Sequence, residues 1–209
     1  MRIAVIGASG GTGSSVVEQA LGHGHEVTAL VRDVARAPQA RERLSVAALD
    51  VRDLEGVRVA LPGHDAVLCA IGARPARRVD LYSAGIENVL YAMAEFGVPR
   101  LVAMSAAGTF HRSDPNLTAG YKLLMKAALR GLYDDLERME QRIMASSAEW
   151  VIVRPAGLTD GPQTGDYRVG LDGRPLTAGG RISRADVAAF MLKAAETDRW
   201  VRKAVTLSY

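Results

Sequence analysis

Arg2-Ile3-Ala4-Val5-Ile6-Gly7-Ala8-Ser9-Gly10-Gly11-Thr12-Gly13 stands at the head of the sequence and decides the fold. Arg2 to Ile6 is a short apolar run of strand type. Ser14 to Leu21 places Val16, Val17, Ala20 and Leu21 at helical spacing. Strand, glycine turn and helix in that order is the setting that gives a glycine motif meaning. A reversal this tight needs positions without a Cβ. Gly7 lets the chain turn, Gly10 lets backbone approach a pyrophosphate, and Gly13 lets the helix pack close to the sheet. Exposed amides and the helix dipole then form an anion site. A second strand, Glu26 to Val31, follows at the expected distance. The stretch predicts a dinucleotide-binding turn, and the alternative is a glycine turn that only joins two elements.

Further strands are predicted at Ser45–Leu49, Asp65–Gly72, Leu101–Ser105, Glu149–Pro155 and Ala204–Ser208, with Tyr167–Val169 as an outlying strand. The run from Asp65 to Gly72 is apolar throughout, as in parallel strands buried on both faces. Helices are predicted at Leu54–Leu61, with Asp53 as N-cap, and at Leu81–Phe96. A short one is expected at Ala40–Arg43, and a long one over Tyr121–Ser146 with a break at Gly131. Another opens at Ser183-Arg184-Ala185-Asp186 in a capping arrangement that makes Asp186 structural. The alternation implies an α/β fold: a single domain spanning 1–209, Rossmann-like, with a doubly wound parallel sheet and helices on both faces. A small C-terminal portion is expected to cover the substrate.

In such a sheet the ligand lies at the carboxyl ends of the strands. Arg32 stands about 20 residues past the glycine turn, where an acid favours NAD and an arginine accommodates a 2′-phosphate. Arg36 follows, and paired guanidinium groups match phosphate. Asp33 could serve a ribose instead, and Arg36 could be a surface residue ahead of Pro38. Asp50 stands where an adenine amino group would donate, or caps the next turn. Ile71-Gly72 backbone passes the second ribose or the nicotinamide, and Arg74 meets a pyrophosphate, an acidic substrate or only solvent. Pro155-Ala156-Gly157-Leu158 falls at the crevice against the nicotinamide, and Met104-Ser105 ends the neighbouring strand. The loop from Ala106 to Thr118 should cover the substrate. His111 within it, and Tyr121 beyond it, are weak candidates for a chemical role. His23, His25 and His64 belong to the opposite edge, and the first two read as solvated loop residues. No metal ligand is assigned.

The 209 residues suit one domain with a sizeable core. No apolar run approaches the roughly 18 residues of a membrane span. The net charge is +3 and the pI about 9.2, with basic residues scattered and aromatics at 5%. Nucleic-acid binding shows a denser basic stripe, so no such partner is expected. The single Cys69 has no internal disulfide partner and fits a reducing cytoplasm. The sequence leaves monomer and homodimer open.

The chain resembles the atypical short-chain dehydrogenase/reductase-like proteins of the NmrA-like, biliverdin reductase B (flavin reductase) type. The resemblance is carried by Gly7–Gly13, by Val27–Asp33, by Leu49-Asp50-Val51 and by Asp65–Arg74. It is carried again by Val151–Tyr167, Leu171–Pro175 and Ile182–Leu192. It implies NADP(H) in preference to NAD(H), held by Gly7, Ser9, Gly10 and Thr12, with Gly11 and Gly13 in the same turn. It puts Arg32 and Arg36 on the 2′-phosphate, and Asp50 and Val51 near adenine. It puts Ile71, Gly72 and Arg74 along the cofactor, and Gly157 and Leu158 beside the nicotinamide. The implied reaction is direct hydride transfer to a flat conjugated acceptor, such as a free flavin, a quinone or a tetrapyrrole. The Tyr-x-x-x-Lys pair of ordinary short-chain dehydrogenases is missing: Tyr121 is followed by lysines at 122 and 126. Three further departures are Ala106 and Gly157, where relatives carry a serine and a histidine, and Leu136, where they carry another histidine. The alternative is an NADP(H)-binding redox sensor with little or no catalysis.

Overall fold

Alternation along the strands builds two cores rather than one. Ile3 and Val5 face one side of the sheet, Ala4 and Ile6 the other, and all four are buried. Leu68 and Cys69, Val151 and Ile152, and Val205 and Ala204 divide in the same way. A strand buried on both faces must carry apolar residues at every position. The structure, a computed structural model, describes residues 1–72, 80–110, 119–171 and 180–209, with side chains at all of these except 110 and 119–128.

The strands are β1 (Arg2–Ile6), β2 (Glu26–Val31), β3 (Leu44–Ala48), β4 (Ala66–Cys69), β5 (Arg100–Met104), β6 (Glu149–Pro155), β7 (Gly157–Thr159), β8 (Arg168–Leu171), β9 (Arg181–Ser183) and β10 (Lys203–Ser208). The helices are α1 (Gly11–Gly22), α2 (Leu54–Ala60), α3 (Leu81–Phe96), α4 (Ala119–Ala145) and α5 (Arg184–Glu196). Eight strands form one sheet in the order β3-β2-β1-β4-β5-β6-β10-β8, and β7 pairs with β9 in a separate ribbon. All pairs in the large sheet are parallel except β10 with β8. Helices α1 and α5 cover one face, and α2, α3 and α4 the other. This is the expected single-domain, Rossmann-like, doubly wound sheet. The order reverses between β1 and β4, which puts the crevice at the carboxyl end of β1.

β2, β6 and α3 coincide with their predicted bounds. Three local expectations fail. Ala40–Arg43 is not a helix: Arg41 and Leu44 exchange backbone hydrogen bonds of 3.2 and 2.8 Å across a turn. Arg43 has φ 61°, outside helical space. Four residues cannot offset the cost of helix nucleation. Helix α4 runs through Gly131 without a break. Glycine weakens a helix by only about 1 kcal/mol, and Leu136, Met139 and Ile143 bury its apolar face in the core. His23 and His25 are not simply solvated, because both rings bond Glu196 at the end of α5.

Candidate functional site

The glycine turn is built by backbone crowding. Gly7 has φ +84°, and a Cβ there would stand 2.7 Å from the Ala70 carbonyl oxygen. A Cβ on Gly13 would collide with the Gly7 carbonyl. That same carbonyl accepts the Gly10 amide at 3.0 Å, while the Gly7 amide donates to Leu30 at 3.0 Å. The first i→i−4 bond of α1 runs from Ser14 to Gly10 at 2.8 Å. The amides of Gly11, Thr12 and Gly13 precede it, and N-cap Gly10 offers no side chain to satisfy them. A helix of 12 residues therefore opens on bare N–H groups at the sheet's reversal point. The cradle fits an anionic, phosphate-bearing group.

The predicted residues line one edge. Arg32 and Arg36 follow β2, Asp50 and Val51 follow β3, Ile71 and Gly72 follow β4, Met104 ends β5 with Ser105 next to it, Pro155 ends β6 with Ala156 next to it, and Gly157 and Leu158 open β7. Because these strands are parallel, their carboxyl ends share that edge. Arg32 and Arg36 are exposed, and the Arg36 amide donates to the Asp33 carbonyl at 3.1 Å. Asp33 accepts the Ala35 amide at 3.1 Å and caps a short 3-10 turn. Asp50 is engaged by Arg52, through its amide at 3.0 Å and its guanidinium at 3.1 Å. That hydrogen bonding holds the Asp50 carboxyl below the usual carboxylate range, and the charge of Arg32 adds to it. Val51 buries its side chain against α3, where Gly85 leaves room for it. Gly157 is exposed, and its amide donates to Gly180 at 3.0 Å. Arg74, His111 and the side chain of Tyr121 lie outside the described residues.

Other side chains reach the same edge of the sheet. Arg184, the first residue of α5, lies over the turn: its Cδ and Nε stand 2.7 and 3.1 Å from the position of a Cβ on Gly11. Asp160 holds its guanidinium at 2.5 Å. Below the ends of β5 and β6 a buried network joins Ser105, Glu140 and Arg154. The Ser105 hydroxyl donates to Glu140 at 2.5 Å, and Arg154 donates to both oxygens of the same carboxylate at 3.0 and 2.5 Å. The Ser105 proton is therefore directed into the protein. Leu136 is a core residue on the next turn of the same helix. Tyr133 packs its ring on Gly108, just past β5, where any Cβ would clash. Cys69 is fully buried, and burial pushes its thiol up to about 12, so it is no nucleophile.

Asp186 is structural, as expected. It is buried and accepts the amides of Thr164 and Gly165 at 2.9 and 2.8 Å and the Tyr209 hydroxyl at 2.7 Å. It thereby fixes the segment after β7 against α5.

The NAD(P)H-binding family profile matches residues 7–198. YwnB of Bacillus subtilis is 29% identical over 92% of this chain and 91% of its own. A 3-diazoavenalumate denitrifying reductase of a Streptomyces species is 32% identical over 91% of this chain and 68% of its own length. ChuY, an anaerobilin reductase of Escherichia coli O157:H7, superposes with a TM-score of 0.80 at 22% identity, covering 100% of this chain and 97% of its own. No helix among the described residues is long and apolar enough to cross a membrane. The chain belongs to the NAD(P)H-binding family.

Proposed function

We propose that this protein is an NADPH-dependent reductase that passes a hydride directly to a flat conjugated acceptor: a free flavin, a quinone or a tetrapyrrole. The observation that carries the reading is the pairing of an anion cradle at the glycine turn with a serine after β5 whose hydroxyl already donates to buried Glu140. An acceptor protonated by water needs no acid from the protein. It needs close stacking and orientation, which can supply roughly 7–11 kcal/mol.

In this reading the amides of Gly11, Thr12 and Gly13 hold the pyrophosphate, with Ser9 and Gly10 at its side, and Arg184 closes over it. Arg32 and Arg36 take the 2′-phosphate, which makes NADP(H) preferred to NAD(H). Asp50 and Val51 flank the adenine. Ile71, Gly72, Met104 and Ser105 follow the cofactor inward, and Pro155 to Leu158 lie beside the nicotinamide. The coenzyme supplies the hydride. The chain's own contribution is to fix the ring and exclude water around it. A lone buried cysteine suits a reducing cytoplasm.

The test is NADPH oxidation with FMN, riboflavin, menadione and biliverdin as acceptors. Saturable turnover with at least one supports the assignment; none with any of the four removes it. The same hydrogen bond from Ser105 favours a second reading, a redox sensor that binds coenzyme without turnover. A sensor would bind one redox form of the coenzyme much more tightly than the other and reduce none of the acceptors.

A further inference from the structure

At the edge opposite the glycine turn, α1 ends and the chain reverses through Gly24, whose φ is +84°. The reversal brings His23 and His25 together, with ring centroids 6.2 Å apart. Glu196, the last residue of α5, meets both. His23 Nδ1 lies 3.0 Å and His25 Nε2 2.7 Å from one carboxylate oxygen, Oε1. The three ligand atoms all fall within 4.8 Å of one another. In a tetrahedral site with bonds of about 2.0–2.1 Å, neighbouring ligand atoms stand about 3.3 Å apart. The two spacings to the carboxylate oxygen need shifts of only tenths of an ångström to reach that figure, and the two ring nitrogens, within 4.8 Å of each other, must close by up to about 1.5 Å. Side-chain exposure of 13% for His25, 30% for Glu196 and 56% for His23 leaves one side open to solvent.

We propose that His23, His25 and Glu196 form a three-ligand site for a divalent transition-metal ion of the zinc class, with water in the fourth position. Two imidazoles and one carboxylate suit Zn2+, Co2+ or Ni2+, whereas Mg2+ and Ca2+ demand oxygen ligands. Binding needs no proton release from a neutral ring. The metal takes the lone pairs at His23 Nδ1 and His25 Nε2, and each ring keeps its single proton on the other nitrogen. For His25 that nitrogen, Nδ1, faces the Met1 amino nitrogen at 3.3 Å, and this contact must turn aside. Met1 is 42% exposed and has room to do so. The Arg43 guanidinium also approaches the turn at Gly24, so with the Met1 amino group the site works against two nearby positive charges. The ion would fasten the α1–β2 turn to the end of α5, far from the crevice. Its role is a structural clasp, independent of the coenzyme.

The test uses the full chain without an affinity tag, titrated with ZnCl2 alone by calorimetry and followed by thermal unfolding. MgCl2 and CaCl2 serve as comparisons, and CoCl2 gives a visible spectrum that reports geometry. The expected result is one equivalent of Zn2+ bound in the micromolar range, a raised Tm, and no response to Mg2+ or Ca2+. His25→Ala and Glu196→Gln should each weaken binding by roughly tenfold or more, since even outer-shell partners carry that much. Glu196→Gln keeps the shape and a hydrogen-bond acceptor, so it remains informative if His25→Ala folds poorly. Absence of Zn2+ binding by the unmodified chain overturns the proposal. So does Zn2+ binding that Glu196→Gln and His25→Ala leave unchanged.

Discussion

The Arg184 side chain crosses Gly11 so closely that its Cδ stands 2.7 Å from where a Cβ on Gly11 would be. A cation from α5 is thereby held above the bare amino end of α1, and Asp160 steadies it from the solvent side at 2.5 Å. Two elements far apart in sequence meet at one position. Arg184→Ala should weaken NADPH and NADH alike, by roughly tenfold or more, as for a lost charged hydrogen bond. Calorimetric titration with both coenzymes decides it. A selective loss of NADPH would move Arg184 to the 2′-phosphate, and no change would remove it from the site.

Arg32 and Arg36 carry the opposite expectation. Both are exposed beyond β2. The double variant Arg32→Ala/Arg36→Ala should lose NADPH affinity by more than about tenfold while NADH affinity holds. The ratio of the two dissociation constants is the readout. A parallel fall in both would show that these guanidinium groups do not read the phosphate.

The turn should tolerate no Cβ where its backbone closes on itself. Gly13→Ala forces a methyl group against the Gly7 carbonyl and should cost about 1–3 kcal/mol of stability. Gly72→Ala meets nothing within 4 Å among the described residues and should be close to neutral. Urea denaturation of the two variants gives the comparison.

Ser105 offers a test of mechanism. Its hydroxyl donates to Glu140 at 2.5 Å, in a network that Arg154 completes. Losing a general acid lowers the rate by roughly 10²–10⁴-fold. We expect Ser105→Ala to lower kcat by less than about tenfold. A larger fall, with the fold intact by circular dichroism, would make the serine a proton donor after all.

Asp186 sets a pH dependence. Burial alone would raise its pKa, but the amides of Gly165 and Thr164 and the hydroxyls of Tyr209 and Thr164 outweigh it and hold the carboxyl below its ordinary value. The sign follows from linkage: a carboxyl depressed in the folded state stabilises above its unfolded pKa and loses that stabilisation as pH falls through the folded value. The stability gap between the wild type and Asp186→Asn should therefore be full at pH 5 and narrow steadily in stronger acid. Urea midpoints across pH 2 to 5 measure it. A gap that widened in acid would contradict the assignment.

The residues show why some of this was legible in the sequence. Gly7, Gly10 and Gly13 announce themselves, because only glycine satisfies a local backbone demand. The apolar runs that became β2 and β6 are bounded by their own chemistry, so their ends could be read. Arg184 and Glu140 could not be found that way. Arg184 lies in a helix-opening pattern that explains it fully without the turn it covers, and Glu140 looks like any charged helix residue until Arg154 and Ser105 meet it. His23 and His25 were read as solvated for the same reason: Glu196 reaches them from the far end of α5. Local demands are written in the sequence; meetings between distant elements are not.

Strand β10 lies between β6 and β8, yet follows both in the chain. As the polypeptide leaves the ribosome, β6 must wait with a naked border until residues 203–208 emerge, while β8 has no neighbour to join. An unpaired strand edge invites intermolecular pairing. The chain thus stays open to pairing with its neighbours until that segment has emerged and docked between the two strands.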